Sequence, residues 1–390
     1  MNKVFIGDCR DTMKDLIAQG VKVQMCVTSP PYWGLRSYLA SDDPDKQYEM
    51  GSEKTPEEYV AKMVEVFRLV RELLRDEGTL WLNLGDSYTH DQPGRNRNGT
   101  GGQIVRPYGE ESLGRVQKGN NKIHSGLKSK DLIGIPWRVA FALRADGWYL
   151  RSDIIWHKPN PMPESVTDRP TKAHEYVFLL SKSQRYYYDQ DAVREEGAQN
   201  KWGKYSNPKY GNAPNLGGKM QSAKDLTREE YIEKYQKVNL RSVWTIATQP
   251  YKEAHFATYP PALIIPCIKT GTSEKGCCPE CGAGWKRIIK QEKSTPRAVN
   301  SPHATPEDQH RFLGHARYDE PTKTETLGWQ PTCKCGHDNT VPCVVLDPFF
   351  GSGTTGEVCE KLGRKWIGCE LNEKYEPLWK KRTAQAGLGI

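Results

Sequence analysis

The sequence predicts an α/β fold whose sheet is assembled from distant parts of the chain, and three stretches carry that prediction. The first is the β-branched apolar run at residues 21–27, a buried strand that breaks into Thr28-Ser29-Pro30-Pro31-Tyr32. Two consecutive prolines remove two backbone donors and fix two φ angles, so the strand ends in a rigid extended loop. The second is residues 344–346, an apolar strand running into the Gly-rich turn Asp347-Pro348-Phe349-Phe350-Gly351-Ser352-Gly353-Thr354-Thr355-Gly356, with a helix pattern over 354–362. The third is the strand at 365–369, which delivers Glu370 at its end. Only thirty-four residues follow Gly356, too few for the strand–helix units such a sheet still needs. The remaining strands must come from earlier in the chain, in a permuted order.

Each loop is ambiguous in isolation, since most Pro-Pro pairs are ordinary turns and a lone GxGxxG is a weak signal. Context strengthens both. The Ser29 hydroxyl, two fixed carbonyls and the Tyr32 ring sit at a strand's C-terminal edge, where open α/β sheets bind ligands. The glycine turn follows a strand and opens a helix, and Glu370 is placed to bond ribose hydroxyls. A P-loop is excluded because no Lys-Ser/Thr pair follows the glycines. A nicotinamide-binding fold fits poorly with so short a remainder.

The two motifs together resemble the S-adenosylmethionine-dependent DNA amino-methyltransferases, in the permuted (beta-type) group whose catalytic loop precedes its cofactor loop. Within that group the chain is similar to the cytosine-N4-specific modification methylases. The family's catalytic motif (S/D/N)-P-P-(Y/F/W) is matched by Ser29, Pro30, Pro31 and Tyr32. Its cofactor motif D-P-F-x-G-x-G-T-T is matched by Asp347, Pro348, Phe349, Gly351, Gly353, Thr354 and Thr355. The resemblance implies a Rossmann-like sheet of about seven mostly parallel strands with a target-recognition insertion, to which the cysteine pattern of this chain adds a small Cys-rich zinc-binding insertion. It also places Thr28, Glu370 and Asn372 in the cofactor pocket. The implied setting is the cytoplasm of a bacterium or archaeon, or a phage-encoded protein, working as a monomer or homodimer. The implied partner is double-stranded DNA, with a cognate restriction endonuclease as a possible companion.

Bulk properties agree with this setting. A chain of 390 residues suggests two or three modules. Mean hydropathy of −0.75 and no apolar run near the ~20 residues needed to span a bilayer argue against a membrane protein. The start, MNKVFIGDCRDTM, lacks the apolar core of a signal peptide. Eleven cysteines without a secretion signal then read as thiols or metal ligands rather than disulfides. The net charge of +8 favours a polyanionic partner, although solvated surface charge often gives such a value.

Taken in order, residues 1–89, 131–189 and 340–390 read as the catalytic domain. A short strand at 4–6 precedes a helix from Arg10 to about Ala18, and Asp8 has two readings. By resemblance it lies near the cofactor's adenine; by local chemistry it caps the helix. Arg36 either touches DNA or pins the catalytic loop. Thr55-Pro56-Glu57-Glu58 opens a helix by capping box and N1 proline, stopped at Gly78, with a strand at 79–84. Asn83-Leu84-Gly85-Asp86 ends that strand in polar residues; by resemblance this segment walls the cofactor pocket, and the alternative for Asp86 is a helix cap. Residues 90–130 form a basic, glycine-rich insertion in which Arg95, Arg97 and Arg106 would meet DNA phosphates. A helix at 135–145 and a strand at 148–156 follow, and the loop after them carries Lys158. By resemblance this W-x-K-P-N segment helps form the base pocket. Residues 175–181 and 185–188 read as a hairpin closing the sheet.

Residues 190–242 interleave basic and aromatic side chains with poor apolar periodicity. Composition leaves a solvated appendage open, while position in the permuted order makes this the target-recognition region. Residues 243–276 form a cofactor-lining segment, by resemblance, with Phe256 and Pro260 as the contacts. Residues 277–339 hold the turns CPECG and CKCG. Cys278, Cys281, Cys333 and Cys335 make a candidate structural Zn²⁺ site, with Cys277, Cys343 and His337 as substitutes and free buried thiols as the alternative. The segment between the two turns reads as loose.

The resemblance also implies a mechanism. An exocyclic amino nitrogen is a poor nucleophile because its lone pair is delocalised into the ring. Ser29 Oγ and the Pro30 carbonyl would accept the amino hydrogens, and Tyr32 would stack on a base flipped out of the duplex. Adenine-N6 enzymes of the family usually carry Asp or Asn where this chain has Ser29, so cytosine N4 is the expected target and adenine N6 the alternative. Two other readings share some features. A zinc-containing nucleic-acid-binding protein would not require both motif loops, and enzymes acting on RNA or a protein glutamine more commonly carry N-P-P-Y.

Overall fold

The structure, a computed structural model, describes residues 1–35, 37–40, 42–89, 126–195, 239–249, 258–292 and 323–387. Two units divide the chain: Met1–Asp189 with Arg241–Trp285 and Pro331–Ile390, and Gln190–Leu240 with Lys286–Gln330. The candidate site lies in the first.

Strand β1 (Lys3–Ile6) leads into helix α1 (Cys9–Ala18). Strand β2 (Val23–Thr28) is buried at every residue, as its unbroken apolar run requires of a central parallel strand. Helix α2 (Pro56–Leu73) starts as its sequence demands: Thr55 accepts from the Glu58 amide at 3.1 Å and Pro56 fills the first turn. It buries Tyr59, Met63, Val66, Phe67, Val70 and Leu73 on one face. It ends at Leu73 rather than Gly78, because Leu74 turns extended and begins β3 (Leu74–Leu84) five residues earlier than the sequence suggests. Val23 pairs with Leu74, and a register shift then separates that bridge from the regular pairing that begins at Met25–Thr79.

Helix α3 (Ile135–Ala145) has a glycine at its N-cap and no local side chain to satisfy its first amides. Asp86, forty-nine positions before Ile135, supplies the cap: its Oδ1 accepts from Gly134 at 3.0 Å and Ile135 at 3.1 Å. Strands β4 (Tyr149–His157), β5 (His174–Ser181) and β6 (Val243–Thr245) follow, then helix α4 (Pro261–Gly271). The second unit contributes β7 (Lys286–Glu292) and β8 (Lys323–Gln330), an antiparallel pair. The flanks of the segment expected to be loose are therefore ordered by pairing with each other. Strand β9 (Val344–Asp347), helix α5 (Thr354–Lys361), strand β10 (Lys365–Glu370) and helix α6 (Glu376–Gly387) complete the fold.

The eight-stranded sheet runs β1-β10-β9-β2-β3-β5-β4-β6. Every pairing is parallel except those of β5 with β3 and β4. The two C-terminal strands are thus inserted between β1 and β2. The expected hairpin of 175–181 with 185–188 does not form. Both edges of β5 are already occupied, by β3 and β4, which leaves no edge for a returning strand. Residues 185–188 are instead irregular, with the Tyr187 amide donating to Glu77 O at 2.9 Å. The eighth strand is β6, which joins the outer edge of β4. No helix among the described residues is long and apolar enough to cross a membrane.

Candidate active site

The C-terminal ends of β1, β2, β3, β4, β9 and β10 open onto one cavity of about 1060 Å³. Antiparallel β5 presents its N-terminal end to the same space through His174 and Glu175. One half of the cavity is floored by the glycine turn: Pro348, Phe349, Gly351 and Thr354 line it, together with Glu370, Asn372 and Asp8. Gly353 stands just behind. It has φ +83°, and a Cβ there would come within 2.6 Å of Trp379 Cβ, so the close packing of the turn against α6 needs a glycine.

Glu370 is buried, and each carboxylate oxygen takes one backbone amide: Gly351 at 2.7 Å on Oε2 and Asn372 at 2.9 Å on Oε1. Burial outweighs those bonds and pushes its carboxyl up to about 7. The Leu371 amide adds a weaker interaction, and the carboxylate still has acceptor capacity towards the cavity. Asp8 caps α1 by accepting from the Arg10 amide at 2.8 Å, and its side chain pairs with the Arg10 guanidinium at 2.5 Å. Burial raises its carboxyl, but Arg10 prevails and holds it below the usual range. It borders the cavity and caps the helix at once. Asn372 Oδ1 accepts from the Lys374 amide at 3.1 Å, capping a short 3₁₀ turn.

Asp347 does not line the cavity. It is wholly buried and knits three segments together. Thr28 Oγ1 donates to its Oδ1 at 2.6 Å, Thr355 Oγ1 and the Tyr259 hydroxyl donate to Oδ2 at 2.6 and 2.9 Å, and the Phe349 amide donates at 3.1 Å. Burial nevertheless raises its carboxyl. Thr28, Gly353 and Thr355 likewise stand outside the lining, as does Pro260, the N-cap of α4. Thr258 and Tyr259 line the cavity beside it. The Phe256 proposed from the sequence lies outside the described residues.

The other half is the proline loop, with Ser29, Pro30, Pro31 and Tyr32 all on the cavity wall. The Pro31 carbonyl accepts from Tyr59 at 2.9 Å; among the described residues none donates to the Pro30 carbonyl. Tyr32 lies against Gly85, where a Cβ would meet the ring at 2.5 Å, so the glycine admits the ring. Its hydroxyl reaches Glu175 Oε2 at 2.8 Å and Asn83 Oδ1 at 3.0 Å, and burial raises that phenol well above its ordinary value. Ser29 Oγ approaches Asn83 Oδ1 at 3.2 Å and the Tyr32 hydroxyl at 3.3 Å. Lys158 also lines the cavity; it pairs with Glu175 Oε1 and sits 4.3 Å from the Trp156 ring centroid. Glu175 and Tyr259 were not singled out from the sequence, and Glu175 carried no local signal. Asn83 belongs to the polar strand end that the resemblance assigns to the pocket wall, and with Gly85 and Asp86 it lines the cavity.

At the opposite, N-terminal edge of the sheet, the Sγ atoms of Cys278, Cys281, Cys333 and Cys335 all lie within 4.8 Å of one another. The first turn is docked there by Gln24, which donates to Gly282 O at 3.0 Å and accepts from the Val344 amide at 2.7 Å. Backbone amides of the turn, chiefly that of Cys281, bring the Cys278 thiol down to about 6, in favour of thiolate. The substitutes have other partners: Cys277 bonds to Val341 O at 3.4 Å, and His337 to Glu280 at 3.0 Å. Tetrahedral Zn–S bonds of ~2.3 Å put sulfurs about 3.8 Å apart, so four thiols this close fit one such ion. Arg36, Arg95, Arg97, Arg106 and residues 196–238 lie outside the described residues.

A profile of the DNA methylase family, the N6/N4 methyltransferases, matches residues 23–278 and 343–381. The Type II methyltransferase M.SmaI of Serratia marcescens is 36% identical over 380 residues, spanning 97% of this chain and 90% of its own length. M.Cfr9I of Citrobacter freundii is 35% identical over 372 residues, spanning 95% and 84%. Among solved structures, the PvuII DNA methyltransferase (cytosine-N4-specific) shows a TM-score of 0.48 at 14% identity, over 97% of this chain and 85% of that one. The chain therefore belongs to the N6/N4 DNA methylase family, among its Type II methyltransferases.

Proposed function

We propose that this protein transfers a methyl group from S-adenosylmethionine to the exocyclic N4 amino group of cytosine in double-stranded DNA, at a specific site and after base flipping. The observation that carries the proposal is that the Ser-Pro-Pro-Tyr loop and the Glu370 carboxylate face one cavity. Glu370, Asn372, Asp8 and the turn at Gly351 would hold the cofactor's nucleoside. The spare acceptor capacity of a buried carboxylate suits paired ribose hydroxyls. When bound, S-adenosylmethionine supplies an activated methyl on a sulfonium centre. Asp347 orders the turn from behind, by way of Thr28 and Thr355.

Ser29 Oγ and the Pro30 carbonyl would accept the amino hydrogens of the flipped base, drawing its nitrogen towards sp³ geometry so that the lone pair could attack the methyl; the methyl–sulfur electron pair would stay on sulfur, and the displaced amino proton would pass to water. Tyr32 presents its ring to the base while its hydroxyl stays bound to Glu175. The neutral acceptor Ser29, backed by the neutral amide of Asn83, supports cytosine over adenine, whose enzymes usually carry Asp or Asn at this position. The permuted strand order accords with the insertion of β9 and β10 between β1 and β2. Residues 190–242 would choose the sequence, and 90–130 would add phosphate affinity. The four clustered cysteines would hold a structural Zn²⁺, and a companion endonuclease would complete a restriction–modification pair.

Incubation with labelled cofactor and unmethylated bacterial DNA, followed by mass analysis of the nucleosides, tests the reading. N4-methylcytosine is the expected product. N6-methyladenine alone would overturn the base assignment, and no methylated nucleoside would overturn the activity.

A further inference from the structure

The hydrogen bonds behind the proline loop have a direction, and it can be traced from groups whose polarity is fixed. Asn83 Nδ2 lies 3.1 Å from Tyr176 O and 3.3 Å from Glu175 Oε2. A backbone carbonyl and a carboxylate only accept, so the amide must face them with its nitrogen and turn Oδ1 towards Ser29 and Tyr32. Tyr32 has one hydroxyl hydrogen. The Glu175 carboxylate at 2.8 Å is nearer and more strongly accepting than the Asn83 amide oxygen at 3.0 Å, so that hydrogen goes to Glu175. The ion pair with Lys158 holds Glu175 in place. Asn83 Oδ1 is then left to Ser29 at 3.2 Å, with the Tyr32 oxygen at 3.3 Å as the only other acceptor within reach among the described residues.

From this we infer that Asn83, with the Glu175–Lys158 pair behind it, is a positioning group that fixes the Ser29 hydroxyl as a one-way acceptor. The Ser29 hydrogen points into the network, and its lone pairs point into the cavity. A loop polarised in this way welcomes a base that donates from an amino group and rejects one that offers a keto oxygen at the same place. A free serine hydroxyl would rotate to satisfy either. The inference deepens the methyl-transfer reading and rests on it, and it assigns the discrimination to residues 54 and 146 positions from Ser29.

A double-substitution cycle tests it in the full-length protein, by single-turnover transfer of labelled methyl to unmethylated bacterial DNA. Ser29→Ala should slow transfer about a hundredfold, and Asn83→Leu, which keeps the branched shape without the acceptor, about tenfold. Because Asn83 acts through Ser29, the double variant should be no slower than Ser29→Ala alone. Cofactor affinity, by calorimetric titration, should stay within about twofold throughout. If Asn83→Leu does not fold, Glu175→Gln carries the same test. Its amide can donate to the Tyr32 oxygen and return the tyrosine hydrogen to Asn83, so transfer should slow about fivefold, and not at all on the Ser29→Ala background. Losses that multiply in the double variants, or single variants with unchanged rates, would overturn the inference while leaving the activity standing. A wild-type protein that transfers no label to DNA would remove the methyl-transfer reading, and the inference with it.

Discussion

The two edges of the central sheet use polar groups in opposite ways. At the C-terminal edge, Glu370 takes one backbone amide on each oxygen and keeps spare capacity facing a cavity. At the N-terminal edge, the polar groups are turned on the protein itself: Gln24 ties the first cysteine turn to β9, and four thiols converge with no large cavity between them. The same contrast recurs between neighbours. Asp347 and Glu370 end adjacent strands, yet Asp347 is saturated by four donors and stands behind the wall, while Glu370 forms part of it. A binding group is recognisable here less by its chemical type than by the hydrogen bonds it has left to make.

The largest expected effect comes from breaking the saturated side of that comparison. Asp347→Ala would remove the acceptor shared by Thr28, Thr355, Tyr259 and the Phe349 amide; Tyr259 and Thr355 keep each other at 2.6 Å, but the buried Thr28 hydroxyl is stranded, costing about 3 kcal/mol of folding stability in all. Denaturant unfolding measures it; a loss below about 1 kcal/mol would show that the four bonds are individually dispensable. Next comes the cysteine cluster. Protein purified without chelator should carry about one zinc per chain. Stripping the metal should expose the amides around Cys278 and Cys333 to hydrogen exchange while the methyl-transfer rate stays within about twofold. An equal loss at both edges would mean that the two ends of the sheet are coupled.

Smaller effects sharpen the role of Glu370. Glu370→Ala should weaken S-adenosylmethionine binding by roughly 1–3 kcal/mol, the cost of stranding two hydroxyls, as calorimetric titration would show. The wild-type affinity should also depend on pH. With the carboxyl raised from 4.5 to about 7, the empty pocket holds it partly protonated at neutrality, and donated hydroxyls favour the ionised form. Affinity should therefore rise about tenfold between pH 6 and 8 and level off above, and Glu370→Gln should flatten that slope. The sign for folding is opposite. The native group binds its proton more tightly than the unfolded chain does, so its contribution to stability is complete below about 4.5 and is lost as pH rises through about 7.

The two motif loops are legible because each is local: prolines stop one strand and glycines turn another, whatever the rest of the chain does. The helices are legible for the same reason, from spacing and caps. What the sequence hides is what depends on strand order. Asn83 meets Glu175 only because β3 and β5 run antiparallel with Asn83 opposite Val177, and no local pattern encodes that register. The misplaced hairpin has the same origin, since nothing near residues 185–188 announces that both edges of β5 are taken. Asp86 is the instructive intermediate: capping is one of its two sequence readings, but the helix it caps begins forty-nine residues away.

In the proposed reading, the proline loop does chemistry in a cavity whose other half does binding. Single-turnover transfer and cofactor titration on Ser29→Ala separate the two functions in one protein. Transfer should slow about a hundredfold with cofactor affinity within about twofold of wild type, because Ser29 touches the amino group and not the cofactor. Affinity falling in step with the rate, or a rate left unchanged, would contradict it.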